Sequence, residues 1–238
     1  MHLHDIALTT IAFFSELIGT LSGFGSSTFF VPTAILIERF QMVLALTAIL
    51  HSFGNISRIF LFRKHFDRKW LIRLAIPFFV FTGAGALLTT QLPVEYVKKT
   101  LGIILIVLAL VFYFGKDILK HLPPQVAVLL TAVSGFSTGF VGTGGAIRGL
   151  ALASLQMPKN TFVITSAAID VGGDLLRAGI YLSSGFMDWS HWFYIPLLGV
   201  AAYAGSRIGQ ILLNKINQQQ FERIVIGFIL MSGVLTLV

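Results

Sequence analysis

Gly19-Thr20-Leu21-Ser22-Gly23-Phe24-Gly25-Ser26-Ser27 has a partner in the second half of the chain, Gly135-Phe136-Ser137-Thr138-Gly139-Phe140-Val141-Gly142-Thr143-Gly144-Gly145. Both carry a G-xxx-G-F core, and each interrupts an apolar run with small residues and hydroxyls. Glycine inside an apolar helix loosens the hydrogen-bond ladder and exposes backbone N–H and C=O groups. In hydrocarbon those groups need protein, water or a ligand as partner. Two matched interruptions in corresponding halves of a chain therefore point to a binding site between the halves.

The composition supports that reading. Of 238 residues, 55% are hydrophobic and 11% charged, and the mean hydropathy is +0.85. A soluble surface needs roughly a quarter of its residues charged, so the chain reads as a polytopic α-helical membrane protein. Its 22 phenylalanines suit lipid-facing helices, and the absence of cysteine excludes disulfides, thiolate metal sites and cysteine nucleophiles. The net charge of +7 is read as basic cytoplasmic loops and not as a nucleic-acid surface. Met1–Asp5 lacks a basic n-region, so no cleavable signal is expected.

Apolar segments run at Ile6–Leu21, Ser26–Ile37, Val43–Phe62, Trp70–Thr90 and Thr100–Phe114. A second series follows at Val126–Val141, Ala146–Leu155, Thr161–Leu182, Trp192–Leu213 and Phe221–Val238. A complete span takes about 20 residues. The first two segments of each series are shorter and read as half-spans meeting in a glycine-tipped hairpin, with slightly longer complete spans as the alternative, followed by three transmembrane helices. Further matches extend the repeat. Gly54-Asn55-Ile56-Ser57-Arg58 aligns with Gly173-Asp174-Leu175-Leu176-Arg177, and Ile76-Pro77 with Ile195-Pro196 at the same offset of 119. The expected organisation is two repeats, residues 1–118 and 119–238, in one integrated membrane unit with its join near Lys116–Gln125.

Loop charge predicts how the repeats relate. If each hairpin enters and leaves on one side, Arg63, Lys64, Arg68, Lys69, Arg73, Lys116, Lys120, Lys159, Arg207, Lys215 and Arg223 share one face. Only Arg39, Lys98 and Lys99 then lie on the other, and Arg58, Arg148 and Arg177 fall inside spans. A single crossing by each hairpin would divide the loop charges evenly. The positive-inside rule favours the first arrangement, which makes the repeats inverted and puts both termini outside a cell (inner or plasma) membrane.

Gly23-Phe24-Gly25-Ser26-Ser27-Thr28-Phe29-Phe30-Val31-Pro32 resembles the first signature of the TauE/SafE sulfite-exporter family, where a glycine-rich turn precedes a Val-Pro dipeptide. Gly139 to Gly145, with Asp170 to Arg177 beyond, occupies the place of the family's second signature. Ser26-Ser27 stand where glycines are more usual, and Arg148 where the first copy has Pro32. The resemblance spans essentially the whole chain. It implies a permease for small sulfur oxyanions or organosulfonates, often moved outward.

Several residues could carry such a function. A half-helix that begins at mid-membrane presents free N–H groups and a positive dipole end. Two facing tips would make an anion site, with hydroxyls from Ser22, Ser26, Ser27 and Thr143 and close backbone approach at Gly25, Gly142, Gly144 and Gly145. Gly19, Gly23, Gly135 and Gly139 are read mainly as helix-packing glycines. Arg148 falls just after the second tip; its planar fork suits an oxyanion, and its alternative is an ion pair with Asp170 or Asp174. His51, Asn55 and Arg58 form a polar stripe, with Asp170, Asp174 and Arg177 as its counterpart. Asn55 is counted with the substrate contacts, and Asp174–Arg177 with structural pairs. Arg58 and Arg177 either gate the site or snorkel to an interface. His51 and Asp170 are candidate proton carriers. Glu16 is left undecided between a hydrogen bond and a proton site. Pro77 and Pro196 are expected to kink helices that rearrange.

The expected function is secondary transport, with export as the expected direction, of a small anion by alternating access, with protons as candidate coupling ions. The alternatives are a passive anion channel, a carrier of another anion, or a carrier of a metal cation using Asp170, Asp174 and Glu16. No Walker A pattern supports ATP hydrolysis. No H-E-x-x-H or G-x-S-x-G supports an intramembrane enzyme, and no resident cofactor or metal is expected. The expected partners are the anion and the lipid bilayer, without nucleic acid; the oligomeric state is open and includes a homodimer.

Overall fold

The structure, a computed structural model, describes residues 3–23, 25–65, 68, 70–114, 123–221 and 223–224. Nine long or medium helices are found among them. The first series is α1 (Leu3–Ser22), α2 (Ser27–Ala34), α3 (Phe40–Phe62), α4 (Leu71–Gln91) and α5 (Val94–Phe114). The second is α6 (Pro124–Val141), α7 (Gly145–Ala153), α8 (Lys159–Ser183) and α9 (Tyr194–Lys215). Most of the expected join at Lys116–Gln125 and of the segment Phe221–Val238 lies outside the described residues, as does Phe24. Among the described residues there is no strand, and α1, α3, α4, α6 and α9 are long and apolar enough to cross a membrane. The chain is an all-α polytopic membrane protein.

Each glycine stretch ends one helix and starts a short one, as expected, but the two arms are unequal. The second arms, α2 and α7, have 8 and 9 residues and are half-spans. The first arms, α1 and α6, have 20 and 18 residues and reach full-span length. The apolar run beginning at Ile6 underestimates α1 because Asp5, in its first turn, is buried and accepts a hydrogen bond from the Tyr194 hydroxyl at 2.7 Å.

The two series interlock. α1 packs on α9, α6 packs on α4, and α3 lies against α8. Close approach needs small residues. A Cβ on Gly205 would meet the Phe13 carbonyl oxygen of α1 at 2.7 Å, and one on Gly209 would meet the Leu17 carbonyl oxygen at 2.9 Å. In the matching interface, Gly135 lies on the backbone of Phe78 and Gly139 on that of Thr82 and Ala86. Both pairs of helices run parallel, since contacts advance together along the two chains. α3 and α8 run antiparallel: Phe40, at the start of α3, shares a cavity of about 60 Å³ with Phe186, just beyond α8, whereas His65, just beyond α3, meets Asn160 at the start of α8 (3.3 Å).

These contacts define two ends of the molecule. At one, His4 bonds the Ile37 carbonyl (2.8 Å), Arg39 pairs with Asp188 (3.6 Å) and Lys98 lies over Phe40 (6.0 Å). At the other, Lys159 donates to the Leu213 carbonyl (2.8 Å) and Gln210 to the Leu61 carbonyl (2.7 Å). Arg63, Lys64, Lys159, Arg207 and Lys215 gather around that second end. Exposed apolar side chains such as Ile72, Ile76, Val80 and Val200 cover the flanks, whereas α3 is buried along most of its length.

Pro77 stands inside α4, where its missing N–H removes one ladder bond. Pro196 does not match it. α9 begins at Tyr194, so Pro196 sits in the first turn, where proline lacks no intrahelical bond. The expected kink at Pro196 is therefore withdrawn.

Candidate functional site

The two tips converge near the middle of α3 and α8. Gly25, at φ +104, allows the first chain turn to pass close to the polar centre: an added Cβ would meet His51 Cε1 at 3.0 Å and Arg148 Nη2 at 3.5 Å. Such a φ strains any residue with a side chain. Ser26 precedes α2, and the Ser27 N–H donates to His51 Nε2 at 2.7 Å. Across the gap, the Ser27 hydroxyl lies 3.5 Å from Thr143 Oγ1, which lies 3.5 Å from Thr28 Oγ1. Hydroxyls of the two tips thus meet face to face.

The second tip is braced by α6. Gly142 turns the chain at φ +83 against Leu44 and Val31. Ser134 donates to the Gly144 carbonyl (2.7 Å) and Ser137 to the Thr143 carbonyl. Gly144 packs directly on Ser134 and Thr138, so it serves contact with α6. Gly145 opens α7, which carries Arg148. Ser22 bonds back to the Gly19 carbonyl at 3.3 Å, and Gly23 is both a turn residue of positive φ and a packing glycine against Phe162 and Val163 of α8.

Around these tips lie three arginines and three carboxylates, all at most 1% exposed. Arg58 donates from Nη2 to Glu16, from Nη1 to Asn55 Oδ1 (2.8 Å) and from Nε to Thr20 Oγ1 (3.2 Å). Glu16 also accepts from the Ser26 hydroxyl. Arg177 holds Asp174 Oδ1 (2.9 Å) and donates to the Thr138 and Gly142 carbonyls at 3.1 and 3.2 Å. Asn55 Nδ2 donates to Asp174 Oδ2 at 2.6 Å, tying α3 to α8. Arg148 pairs with Asp170 and donates from Nε to Ser166 Oγ (3.0 Å), with its guanidinium 5.4 Å from the Phe78 ring centroid.

Several alternatives are thereby decided. Arg148 pairs with Asp170, not Asp174. Asp174–Arg177 is an i,i+3 ion pair. Arg58 and Arg177 do not snorkel; both are enclosed by neighbouring helices. Glu16 is the counter-ion of Arg58. The stripes His51/Asn55/Arg58 and Asp170/Asp174/Arg177 face each other between α3 and α8.

His51, Asp170 and Asp174 each bring a ligand atom to within 4.8 Å of the others, although their sequence spacing gave no metal pattern. The guanidiniums of Arg148 and Arg177 already pair with both carboxylates, so a divalent cation there would share them with two fixed positive charges. With every carboxylate ionised, the six charges balance. Cationic forks and hydroxyls gathered around the two tips are the donor types an oxyanion requires.

Sequence reasoning missed Thr20, Thr28, Ser134, Ser137, Ser166, Tyr181 and Ser206. Ser166 lies one turn before Asp170, so extending the polar stripe by i−4 would have found it. Ser134 and Ser137 flank Gly135 on the arm and share its hydroxyl-rich composition. Tyr181, whose hydroxyl bonds the Gly139 carbonyl, carries no comparable signal.

A membrane protein whose interrupted helices meet in a buried, charge-balanced centre has the architecture of a transporter. The chain matches the family described as Sulfite exporter TauE/SafE over residues 8–236. It belongs to that family, and so to membrane transporters of sulfite or related anions. Neither the curated proteins nor the solved structures compared with it give a match.

Proposed function

We propose that this chain is a secondary transporter that exports a small anion, sulfite or a related sulfur oxyanion or organosulfonate, by alternating access. The single observation that carries the site is the meeting of Ser27 and Thr143 across the two tips, with Arg148 Nη2 3.5 Å from a Cβ placed on Gly25. There the substrate would bind Arg148, the hydroxyls of Ser26, Ser27 and Thr143, and the backbone at Gly25 and Gly145. Asn55 would orient Asp174 and Arg58. His51 and Asp170 would carry protons, and the Arg58–Glu16 pair and the bonds of Arg177 to the Thr138 and Gly142 carbonyls would hold each hairpin to its long helix during the change of access.

The antiparallel run of α3 and α8, the exchange of α1 and α6 between series, and the basic end around residues 61–65, 159 and 207–215 support two inverted repeats, 1–118 and 119–238. Under the positive-inside rule that basic end faces the cytoplasm across an inner or plasma membrane, with the N-terminus outside. In proteoliposomes loaded with sulfite, wild type should release it down its gradient, and Arg148→Gln should reduce the rate by at least about tenfold. A correctly folded Arg148→Gln protein with undiminished efflux would remove Arg148 from the site.

A further inference from the structure

The three buried carboxylates are held very differently. Glu16 accepts from Arg58 and Ser26, with Ser206 at 3.5 Å. Asp174 accepts from Arg177 and Asn55, and His51 Nδ1 stands 3.5 Å from its second oxygen. Asp170, only 1% exposed, has an ion pair with Arg148, and neither of its oxygens accepts a hydrogen bond of ordinary geometry. Arg148, by contrast, keeps Ser166 and the Phe78 ring if Asp170 leaves. Its Nη2 also lies 3.5 Å from a Cβ placed on Gly25 at the first tip. The pair is built so that the cation stays and the carboxylate can be replaced.

Charge decides what replacement requires. Groups facing Asp170 are Arg148 from α7, His51 and Arg58 from α3, and Asp174 and Arg177 from α8 itself, with Glu16 of α1 behind Arg58. α4 contributes Phe78 and Thr82 on this side. The ionised cluster is neutral, and a singly charged anion on Arg148 would leave one uncompensated negative charge in a water-poor interior. Burying such a charge is strongly unfavourable. Released and ionised, Asp170 would also stand beside ionised Asp174 without a cation of its own.

We propose that the transported monoanion displaces Asp170 from Arg148 and that Asp170 takes up one proton for each anion bound. The exchange rests on the anion-transport reading above. Before it, Arg148⁺ faces Asp170⁻, with the anion and a proton in water; afterwards Arg148⁺ faces the anion, and Asp170 is a neutral acid. Charge is conserved, and the buried cluster is neutral in both states. Anion and proton then travel in the same direction. A hydrogen sulfite or sulfonate monoanion fits this balance, whereas a dianion would leave a residual charge.

Calorimetric titration of purified protein with sulfite, at one pH in buffers of different ionisation heat, counts protons taken up on binding. The difference between wild type and Asp170→Asn cancels any proton that sulfite itself gains or loses. Wild type is expected to take up about one proton more per sulfite than Asp170→Asn, and Asp170→Glu to behave as wild type. Equal counts in wild type and Asp170→Asn overturn the exchange while leaving anion binding intact. Should Asp170→Asn fail to fold, the infrared difference spectrum of wild type on adding sulfite decides. A new protonated-carboxyl C=O band is expected, and its absence overturns the proposal. Sulfite that does not bind wild type at all removes the transport reading and this inference together.

Discussion

Glu16 lacks an acidic counterpart because the second half of the chain neutralises its arginine from elsewhere. By the glycine register its equivalent on α6 is Ala132, and the equivalent of Asp174 on α3 is Asn55. Each half thus gives its arginine one carboxylate: from the hairpin arm for Arg58, and from its own helix for Arg177. Removing one member of a buried pair leaves an uncompensated charge and costs about 3–5 kcal/mol. Glu16→Gln should therefore destabilise the protein by about that much. The double variant Glu16→Gln/Arg58→Gln should lose clearly less than the sum of the single variants. Unfolding in detergent measures both, and additive losses would mean the pair is not coupled. Gly25→Ala should bring two penalties together, a strained φ and a contact 3.0 Å from His51. Sulfite affinity should fall at least about tenfold, a loss that a binding titration would detect. At this scale the polar residues were legible, since Arg, Asp and His are conspicuous on apolar helices. Their partners were not, because Arg148 with Asp170 and Arg58 with Glu16 are tertiary pairings that spacing along one helix leaves open.

Among the elements, the broken hairpins could be found because glycine and hydroxyl residues interrupt otherwise apolar runs. The length of their first arms could not. Hydropathy stops at polar side chains, and it treats Asp5 as a terminus even though Tyr194 from α9 satisfies it inside the bundle. The same limit misplaced Pro196. A span begun at Trp192 puts the proline within a helix, whereas the helix starts at Tyr194 and tolerates it. Pro196→Ala should consequently change stability by less than about 1 kcal/mol and leave transport near wild type, by thermal unfolding and sulfite efflux. Gly139→Val should behave differently. Its side chain would enter the backbone of Thr82 and Ala86, where Ala86 N lies only 2.8 Å from an added Cβ. Forcing α6 and α4 apart is an overpacking change worth about 1–3 kcal/mol, visible as a lowered unfolding temperature. A Gly139→Val protein as stable as wild type would show that this interface tolerates separation.

At the scale of the whole molecule, the proposed inversion of the two halves is supported by loop charge and by helix contacts. Basic residues counted along the chain favour an arrangement with the loop after α3 and the loop after α8 on different faces. The structure supports the same division through contacts: His65 meets Asn160 at one end, while residues beyond α8 meet the start of α3 at the other. At the repeat offset of 119, His65 is equivalent to Ser184, and both are exposed. The chain has no cysteine, so His65→Cys and Ser184→Cys each introduce a single reactive thiol without prior removal of others. A membrane-impermeant maleimide applied to intact cells should label Ser184→Cys and spare His65→Cys until the membrane is permeabilised. Labelling of both from the same side would make the halves parallel, and the two hairpins would then enter from one face. Opposite labelling with His65→Cys outside would preserve the inversion but reverse the orientation, and with it the face to which the basic loops belong.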